Sequence, residues 1–525
     1  MKRVTVLYVL AVLWMLSSCA YLNSVSKQNK LEKSLDSNPL QYNIKHIIER
    51  DTYFVYGRLL RETPKESQYS LAIAAFSNRY QQNELVDVNH LGKVNSYYGL
   101  NLPEGEYTLL VLEDKNKDNR YSTTEVIANR VLELSAKDYP DRVVSNVDIS
   151  LLSPIASSIK FQDIAVVPVP DIKESISYPK GSIRSFSDPI FSRNMSSLGM
   201  YDSAAFMETA PMFFYALEEY VGYKIPVVFV HGIGGTVREF QFIIDRLDRE
   251  RYMPLFFYYP SGMDLNQLAK AFYNIYLSGK VIKKEFNPMI IVAHSMGGLV
   301  VREALNLYQG NEQESVVKLF VSIASPFGGL KSAKQGVEHA PLVLPAWRNL
   351  SPDDKFIKKL FRNELPSLTD HYLFYAYLGA GGSDDSDGVV PVASQLTVSA
   401  LDQITGDYGF KSGHAEILQH PVATDKLLGL ITQVENYFPD DHLHYFLKGG
   451  FDVELDDSYN KFEKHIIRTM GFYIRAITNG DITPLPISDR FMSVMRGEVE
   501  PIGPYDTGWL KFRRDYPDLA SGNAE

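Results

Sequence analysis

The chain contains Ile290-Ile291-Val292-Ala293-His294-Ser295-Met296-Gly297-Gly298-Leu299, an apolar strand that runs through a sharp turn into a helix. A serine at such a strained bend needs neighbours with almost no side chain, because larger ones would clash with the backbone on both sides. Ala293 and Gly297 meet this requirement. The pattern is typical of a serine nucleophile elbow, which holds the hydroxyl of Ser295 out at the end of a strand.

A glycine-rich loop follows an earlier strand and predicts a second part of the same arrangement. The strand Pro226 to Val230 continues into His231-Gly232-Ile233-Gly234-Gly235. Because glycine lets the backbone approach closely, the N–H groups of this loop can lie near the serine and stabilise negative charge there. The two linked signals are more specific than either one alone.

Strands and helices alternate from Lys224 onward, which predicts an α/β architecture with a mostly parallel sheet and helices on both faces. The predicted strands lie at 227–230, 255–259, 289–293, 317–323 and 373–378. The segment 329–370 interrupts the alternation and predicts a helical cap. Its apolar side chains suit either a lid over an acyl-binding cleft or an ordinary packed cap; they are Leu342, Val343, Leu344, Trp347, Phe356 and Phe361.

A serine hydroxyl becomes a nucleophile only when a base takes its proton and a carboxylate orients that base. Downstream of Ser295 the chain offers an acid, Asp387 in Ser383-Asp384-Asp385-Ser386-Asp387-Gly388, and a base, His414 in Lys411-Ser412-Gly413-His414. Asp384 and Asp385 compete for the role of the acid. His420 competes for that of the base, but Pro421 restricts the backbone of His420, which favours His414.

With these residues, the region 224–435 resembles the α/β-hydrolase superfamily, especially lipases with Ala-His-Ser-Met-Gly-Gly elbows and the GPI inositol-deacylase-like group. The chain departs from the strict Gly-x-Ser-x-Gly pattern only at Ala293, which is one methyl group larger. The resemblance implies an α/β-hydrolase fold, a catalytic triad and an oxyanion hole made of two backbone N–H groups. The implied residues are Ser295, Asp387 and His414 for the triad and Ile233 and Met296 for the oxyanion hole.

The function predicted from this set is a serine ester hydrolase, a lipase or carboxylesterase that works through an acyl-enzyme and needs no metal or organic cofactor. Lipid esters are the expected substrates. An acyltransferase with the same triad and a non-enzymatic surface binding module are the alternatives. The 53 Lys and Arg against 63 Asp and Glu give a net charge of -10, which offers no reason to expect nucleic acid as a partner.

The N-terminus has the order of an export signal: Met1-Lys2-Arg3, then the apolar run Val4 to Leu16, then small residues. The apolar run is shorter than the roughly 18 residues that span a bilayer. Leu16-Ser17-Ser18-Cys19 resembles a bacterial lipobox, which implies cleavage of the signal peptide 1–18 and lipidation of Cys19. For a Gram-negative source, this resemblance together with Ala20 after the cysteine implies sorting to the outer membrane, so the expected location is the cell envelope, with a lipid anchor in the membrane. Cys19 is the only cysteine, so a disulfide within the chain is excluded.

The remaining parts of the chain have weaker patterns. A tether 19–41 precedes short apolar segments at 52–60, 69–76, 97–102, 107–112, 125–134 and 144–151, which predict a small all-β, Ig-like sandwich domain over 42–153. A connector follows over 154–223, with one amphipathic helix expected at 210–217. Beyond the hydrolase domain 224–435, with its helical cap 329–370, a C-terminal extension 436–525 carries helical patterns.

One loop of the β domain has calcium-loop spacing without a firm metal site. Its Asp-x-Asn-x-Asp-x6-Glu pattern, with Asn119 where glycine is usual, makes a weak ligand set of Asp114, Asn116, Asp118 and Glu125. Because strands rather than helices flank this loop, a polar hairpin is the preferred interpretation.

Overall fold

The computed structural model describes most of the chain from residue 52 onward. The described residues are 52–60, 68–77, 84–92, 97–139, 143–144, 146–151, 159–166, 175–178, 181–201, 203–210, 212–279, 288–308, 316–340, 343–366, 368–436 and 438–523. The predicted signal peptide 1–18, the lipidation candidate Cys19, the tether 19–41 and Leu342 lie outside them. Among the helices of these ranges, none has the length and apolar character needed to cross a membrane.

The N-terminal part of the described chain forms nine strands, and all of them except β6 lie in two small sheets. The strands are β1 Thr52–Leu60, β2 Leu71–Ser77, β3 Glu84–Gly92, β4 Tyr97–Pro103, β5 Gly105–Glu113, β6 Arg120–Tyr121, β7 Val126–Leu134, β8 Val143–Val144 and β9 Ile149–Ser150. One sheet has the order β4-β1-β8, with β9 also paired to β1, and the other has the order β3-β2-β5-β7. Val55, Ile73, Leu100 and Leu109 from both sheets are fully buried in one core. The Ig-like class of this region stays a prediction.

The connector differs from its prediction. Two helices, α1 Arg193–Tyr201 and α2 Ser203–Thr209, precede a strand, β11 Phe214–Ala216, and a further short strand, β10 Ile164–Ala165, pairs with β6. The amphipathic helix expected at 210–217 is therefore wrong. Phe214, Tyr215 and Ala216 of this stretch form β11, which pairs antiparallel with the strand at 252–257.

A seven-stranded sheet forms the centre of the α/β domain. Its other strands are β12 Ile225–Val230, β13 Tyr252–Phe257, β14 Met289–His294, β15 Val317–Ile323, β16 Asp370–Tyr377 and β17 Gly406–Lys411. The order is β11-β13-β12-β14-β15-β16-β17, and every pair except β11 with β13 is parallel. Every residue of β12, β13 and β14 is buried, as expected for central strands covered on both faces. This arrangement confirms the predicted parallel-rich sheet with helices.

Helices cover the sheet and form the C-terminal part of the chain. They are α3 Gln241–Ile244, α4 Leu265–Phe272, α5 Met296–Leu307, α6 Lys331–His339, α7 Pro345–Leu350, α8 Lys355–Lys359, α9 Val392–Gln395, α10 Val398–Leu401, α11 Pro421–Ile431, α12 Asp440–Leu447, α13 Lys461–Asn479, α14 Asp489–Met495, α15 Pro504–Asp515 and α16 Pro517–Ser521. Helices α12 to α16 surround a separate core that includes Trp509 and Phe512. Tyr223, from the start of the α/β domain, belongs to the same core and stacks on Phe446.

The cap helices α6 to α8 pack on the α/β domain. Leu350, Phe356 and Leu360 belong to the main core, with at most 6% of each residue exposed. The amide of Asn349 in α7 accepts the first N–H of α4 at 2.8 Å. The described part of this segment therefore favours the packed cap over the lid.

Arg302 of α5 joins the cap to the helix that follows Ser295. It is fully buried, and its guanidinium donates to Asn306 Oδ1 at 2.7 Å, to Gln403 Oε1 at 2.6 Å and to the carbonyl oxygen of Asn363. Burial lowers the pKa of Arg302 to about 10, so the side chain remains charged at neutral pH. The neighbouring Glu303 adds an ion pair with Arg362, at 2.5 Å and 2.8 Å.

We expect Arg302→Met to lower the free energy of unfolding by about 2–4 kcal/mol, because it leaves several buried acceptors without donors. Arg496→Met is the control, since the Arg496 side chain is 54% exposed in its ion pair with Glu498, and it should leave the free energy of unfolding close to that of the wild type. Calorimetric unfolding of the full chain measures both. Equal effects of the two substitutions would contradict the role of Arg302.

Candidate active site

Ser295 occupies the turn between β14 and α5 in a strained backbone conformation. Its φ of 54° and ψ of -128° lie outside the regions that residues with a side chain prefer. The Ser295 N–H is held by the carbonyl oxygen of Ile323 at 2.8 Å. A Cβ atom on Gly297 would lie 2.6 Å from the carbonyl oxygens of both Val230 and His231, so only glycine fits there.

The structure brings the three candidate side chains into one hydrogen-bonded row. Ser295 Oγ lies 2.9 Å from His414 Nε2, and His414 Nδ1 lies 2.7 Å from Asp387 Oδ2. Asp387 is 2% exposed and Ser295 is 5% exposed, whereas 13% of the His414 side chain remains accessible. A carboxylate accepts hydrogen bonds, so the proton on His414 lies on Nδ1 and Nε2 is free to accept the serine proton.

The turn after β16 fixes Asp387. Its Oδ1 accepts the backbone N–H groups of Val389 at 2.9 Å and Val390 at 2.6 Å, which leaves Oδ2 for His414. Gln395 of α9 is fully buried and donates to Asp387 Oδ2 at 3.4 Å while its amide bonds both backbone groups of Ala376 in β16. Gln395 therefore ties the acid turn to the sheet.

The glycine-rich loop after β12 lies against the serine. A Cβ atom on Gly232 would be 2.7 Å from Ser295 Cβ. The N–H groups of Gly234 and Gly235 donate to Ser261 Oγ at 2.8 Å and to the Gly232 carbonyl at 3.1 Å, which fixes the loop. Within the described part of the chain, the Ile233 N–H has no protein acceptor. Met296 is the first residue of α5, where the N–H groups have no partner inside the helix.

His231 stabilises the glycine-rich loop and does not face the reacting atoms. Its Nδ1 donates to the Gly232 carbonyl at 2.8 Å, its Nε2 accepts the Tyr259 N–H at 3.3 Å, and its ring stacks on Tyr259 with 4.2 Å between centroids. Burial lowers the pKa of His231 to about 4, so the ring is neutral at neutral pH. A neutral ring provides one donor and one acceptor, and both are used.

The competing candidates have other tasks. Asp385 accepts the N–H groups of Gly379 and Gly381 at 2.8 Å and 2.9 Å, and these backbone hydrogen bonds lower the pKa of Asp385. Asp384 is exposed. His420 caps the start of α11, where its Nδ1 accepts the N–H of Ala423 at 3.3 Å.

The calcium-loop candidates form the hairpin between β5 and β7. Both carboxylate oxygens of Glu125 accept backbone N–H groups, from Lys115 at 2.9 Å and from Ser122 at 2.9 Å. Asn116 and Asp118 bond to each other. In the ranges that the structure describes, no group of three or more His, Cys, Asp or Glu side chains is arranged to hold a metal ion. These contacts favour the polar hairpin.

Glu239 is a residue beside the site that the sequence analysis missed. Its Oε2 would lie 2.8 Å from a Cβ atom on Gly235, and its carboxylate accepts the N–H of Thr236. Burial raises the pKa of Glu239 to about 7, although this hydrogen bond and the charges of His414 and Arg193 act in the opposite direction. The Thr236-x-x-Glu239 spacing of a capping box is the signal that could have identified it.

A family model and a curated relative each match part of this chain. Residues 274–338, which include the Ser295 turn, match the family model of lecithin:cholesterol acyltransferase. A Mycoplasma genitalium protein named as an esterase/lipase is 28% identical over 173 residues, which cover 28% of this chain and 63% of that protein. The chain thus spans less than two thirds of this curated relative. These matches confirm the predicted resemblance to α/β-hydrolase serine hydrolases.

Similar solved structures include two bacterial enzymes. The mature lipase BlEst2 of Bacillus licheniformis is 18% identical, with a TM-score of 0.33, over 42% of this chain and 98% of that chain. Phospholipase PlaB of Legionella pneumophila is 17% identical, with a TM-score of 0.28, over 33% of this chain and 44% of that chain. The lipobox at Cys19 lies outside the family-model match and stays a prediction.

We expect the stability of the wild type to fall as pH rises through the pKa of Glu239. Glu239→Gln should not show this fall. The native pKa near 7 lies above the ordinary value of 4.5, so the protonated carboxyl stabilises the fold at low pH, and this stabilisation is lost between about pH 4.5 and 7. Thermal melts should give similar Tm values for both proteins at pH 5 and a Tm several degrees higher for the variant at pH 8. The exposed Glu435 gives the control, Glu435→Gln, which should leave the pH dependence as in the wild type. A difference in Tm between Glu239→Gln and the wild type that is the same at both pH values would contradict this expectation.

Proposed function

We propose that the chain is a serine ester hydrolase of the lipase or carboxylesterase type that acts through an acyl-enzyme. The observation that carries the proposal is the row of two hydrogen bonds, 2.9 Å from Ser295 Oγ to His414 Nε2 and 2.7 Å from His414 Nδ1 to Asp387 Oδ2. A nucleophile, a base and an orienting carboxylate in this order are what acyl transfer to a serine requires.

In the proposed reaction, Ser295 Oγ attacks the ester carbonyl while His414 Nε2 takes the hydroxyl proton. His414 then gives this proton to the leaving alcohol, and the acyl group stays on Ser295. Asp387 stabilises the charged imidazole and keeps Nε2 directed at the serine. Water, activated by His414 in the same way, releases the acid and restores the hydroxyl.

The N–H groups of Ile233 and Met296 form the proposed oxyanion hole. Both belong to segments packed at Ser295, and the N-terminal end of α5 adds a partial positive charge. Backbone donors of this kind act on the charge that develops in the tetrahedral intermediate, and each is worth about a hundredfold to a thousandfold in turnover.

Exposed apolar residues beside the Asp387 turn support acyl chains as the substrate class. Val389 is 55% exposed and Leu378 is 53% exposed, and Leu378 Cδ1 lies 3.4 Å from the position of a Cβ atom on Gly388. Exposed apolar side chains beside a site offer a surface that an acyl chain can contact. The family name lecithin:cholesterol acyltransferase and the relative's name esterase/lipase agree with ester substrates of lipid type.

We expect a fluorophosphonate probe to label the wild type and to leave Ser295→Ala unlabelled. The variant should lose at least about 10⁴-fold in kcat on p-nitrophenyl esters, because no other group can carry the acyl chain. Ser322→Ala is the matched control, since Ser322 is fully buried in β15 and bonds His371. It should be labelled like the wild type.

Three outcomes would change the proposal. Absence of labelling in the wild type would leave a non-enzymatic binding module. Preference for short soluble esters over long acyl chains would remove the lipase assignment and keep the mechanism. Transfer of the acyl group to an added alcohol in place of water would identify an acyltransferase, the activity that the matched family model names.

We also propose that the protein is a lipoprotein of the cell envelope, anchored in the outer membrane through Cys19. The support is the lipobox Leu16-Ser17-Ser18-Cys19 after a charged and apolar start. Several acyl chains on one residue give stable anchoring, since each buried CH₂ contributes about 0.8 kcal/mol.

Cys19→Ser should therefore move the protein from the membrane fraction to the soluble fraction and abolish incorporation of labelled palmitate. Ser18→Ala, which keeps the cysteine, is the control and should remain in the membrane fraction. Membrane association of Cys19→Ser equal to that of the wild type would contradict the anchor.

A further inference from the structure

His294 is a buried residue beside the nucleophile that the proposed reaction does not use. It ends β14, directly before Ser295, and is 4% exposed. Its Nε2 lies 2.9 Å from the backbone carbonyl oxygen of His414, and the two imidazole rings lie 4.8 Å apart. Because a carbonyl oxygen only accepts, the proton of His294 is on Nε2 and this nitrogen is the donor.

The surroundings keep His294 neutral. Burial lowers the pKa of His294 to about 3, and the neighbouring His414 acts in the same direction. The other nitrogen, Nδ1, is buried with no hydrogen-bond partner in the described part of the chain. A second proton would have to occupy that unpartnered position, so the side chain provides one uncharged donor and cannot exchange protons with a substrate.

The hydrogen bond from His294 completes a row of contacts to the His414 backbone. This row accompanies the row of side-chain hydrogen bonds from Asp387 through His414 to Ser295. The His414 N–H donates to the Asp387 carbonyl oxygen at 3.0 Å, and the His414 carbonyl oxygen accepts from His294. The backbone of His414 is thereby held on one side by the acid turn and on the other by the residue next to the nucleophile. Its ring is held at both nitrogens by Asp387 and Ser295.

The hydrogen bond from His294 to the His414 carbonyl oxygen holds the end of a loop that comes from a distant strand. His414 follows β17, an edge strand that is separated from β14 by β15 and β16. The loop must therefore extend across the ends of two strands to reach Ser295. Hydrogen bonding between β17 and β16 sets the start of the loop, and the contact with His294 holds its far end, on the side of the Ser295 hydroxyl.

We propose that His294 is a positioning residue that sets the distance between the His414 imidazole and Ser295 Oγ. This inference rests on the proposed function, because it assigns His294 a task within the same triad. Displacement of a reacting group by about 1 Å costs about a hundredfold in rate. The loss should appear in kcat, since His294 is enclosed and does not contact the substrate.

The test compares three substitutions of His294. His294→Phe keeps a planar ring and removes the donor. His294→Gln places an amide N–H at about the distance of Nε2 from the backbone, where it can reach the His414 carbonyl oxygen. His294→Asn also has an amide, but its side chain is one methylene shorter and does not reach that oxygen. Esters of one chain length are used, and kcat is expressed per active site titrated with fluorophosphonate, so that unfolded protein does not count.

We expect His294→Phe and His294→Asn to lower kcat by about tenfold to a hundredfold with KM within about twofold of the wild type. His294→Gln should recover most of the loss. If His294→Phe fails to fold, the comparison of Gln with Asn decides the question by itself. The matched control is His371→Phe. His371 is fully buried in β16, burial lowers its pKa to about 3, and its Nε2 bonds Ser322 Oγ at 2.8 Å, away from the triad. It should keep kcat per titrated site.

Unchanged kcat in His294→Phe would overturn the proposal, as would a loss in His294→Gln equal to that in His294→Asn. An equal loss in His371→Phe would show a general effect of removing a buried histidine and would also overturn it. Failure of the proposed function is a separate result, because it appears as absence of labelling in the wild type before any His294 variant is measured.

Discussion

The close contact between the Ser295 turn and the end of β12 is the constraint on which the site depends. Ser295 has a φ of 54°, a conformation that costs about 1–3 kcal/mol for a residue with a side chain. The turn keeps this shape because Gly297 has no side chain to clash with the carbonyl oxygens of Val230 and His231 at the end of β12, and because the Ser295 N–H is held by β15. Burial of the central strands supplies the free energy that this strain consumes. Ser295 and the glycine-rich loop are therefore positioned by one contact.

The histidines around this turn differ in function because they differ in burial. His231 and His294 are enclosed, and burial lowers their pKa values to about 4 and about 3, so each acts as an uncharged hydrogen-bonding group. His414 keeps 13% of its side chain accessible and contacts a buried carboxylate. Of the three, His414 alone combines an accessible side chain with a hydrogen bond to a buried carboxylate. Residue type alone does not distinguish the three, whereas their surroundings do.

Local patterns were enough to predict the central strands and to select Ser295, Asp387 and His414, because the turn glycines and the order of the residues are encoded in short segments. Prediction from the sequence failed for strands whose formation depends on pairing with a strand that is distant in the sequence. Residues 210–217 predicted an amphipathic helix, yet Phe214, Tyr215 and Ala216 pair with β13 as a strand. Strand β17 has two glycines and one buried residue, Phe410, so only its pairing with β16 identifies it. The contact of His294 with His414 likewise joins segments that are 120 positions apart in the sequence.

The glycine-rich loop is also held by contacts from outside the α/β domain. Part of the connector therefore helps to position the site. In α1, Ser196 Oγ donates to the Gly234 carbonyl, and the Gly199 carbonyl accepts the Gly262 N–H at 3.0 Å. Helix α2 follows directly and packs beside β4 of the N-terminal sheets. The loop that would receive the oxyanion thus lies in a continuous series of contacts that ends at the β region. A side chain in α1 that no longer fitted Gly234 would disturb the site as directly as a change within the sheet, because close-packed elements transmit displacement. The structural unit that forms the site therefore includes α1, although the sequence patterns separate α1 from the α/β domain.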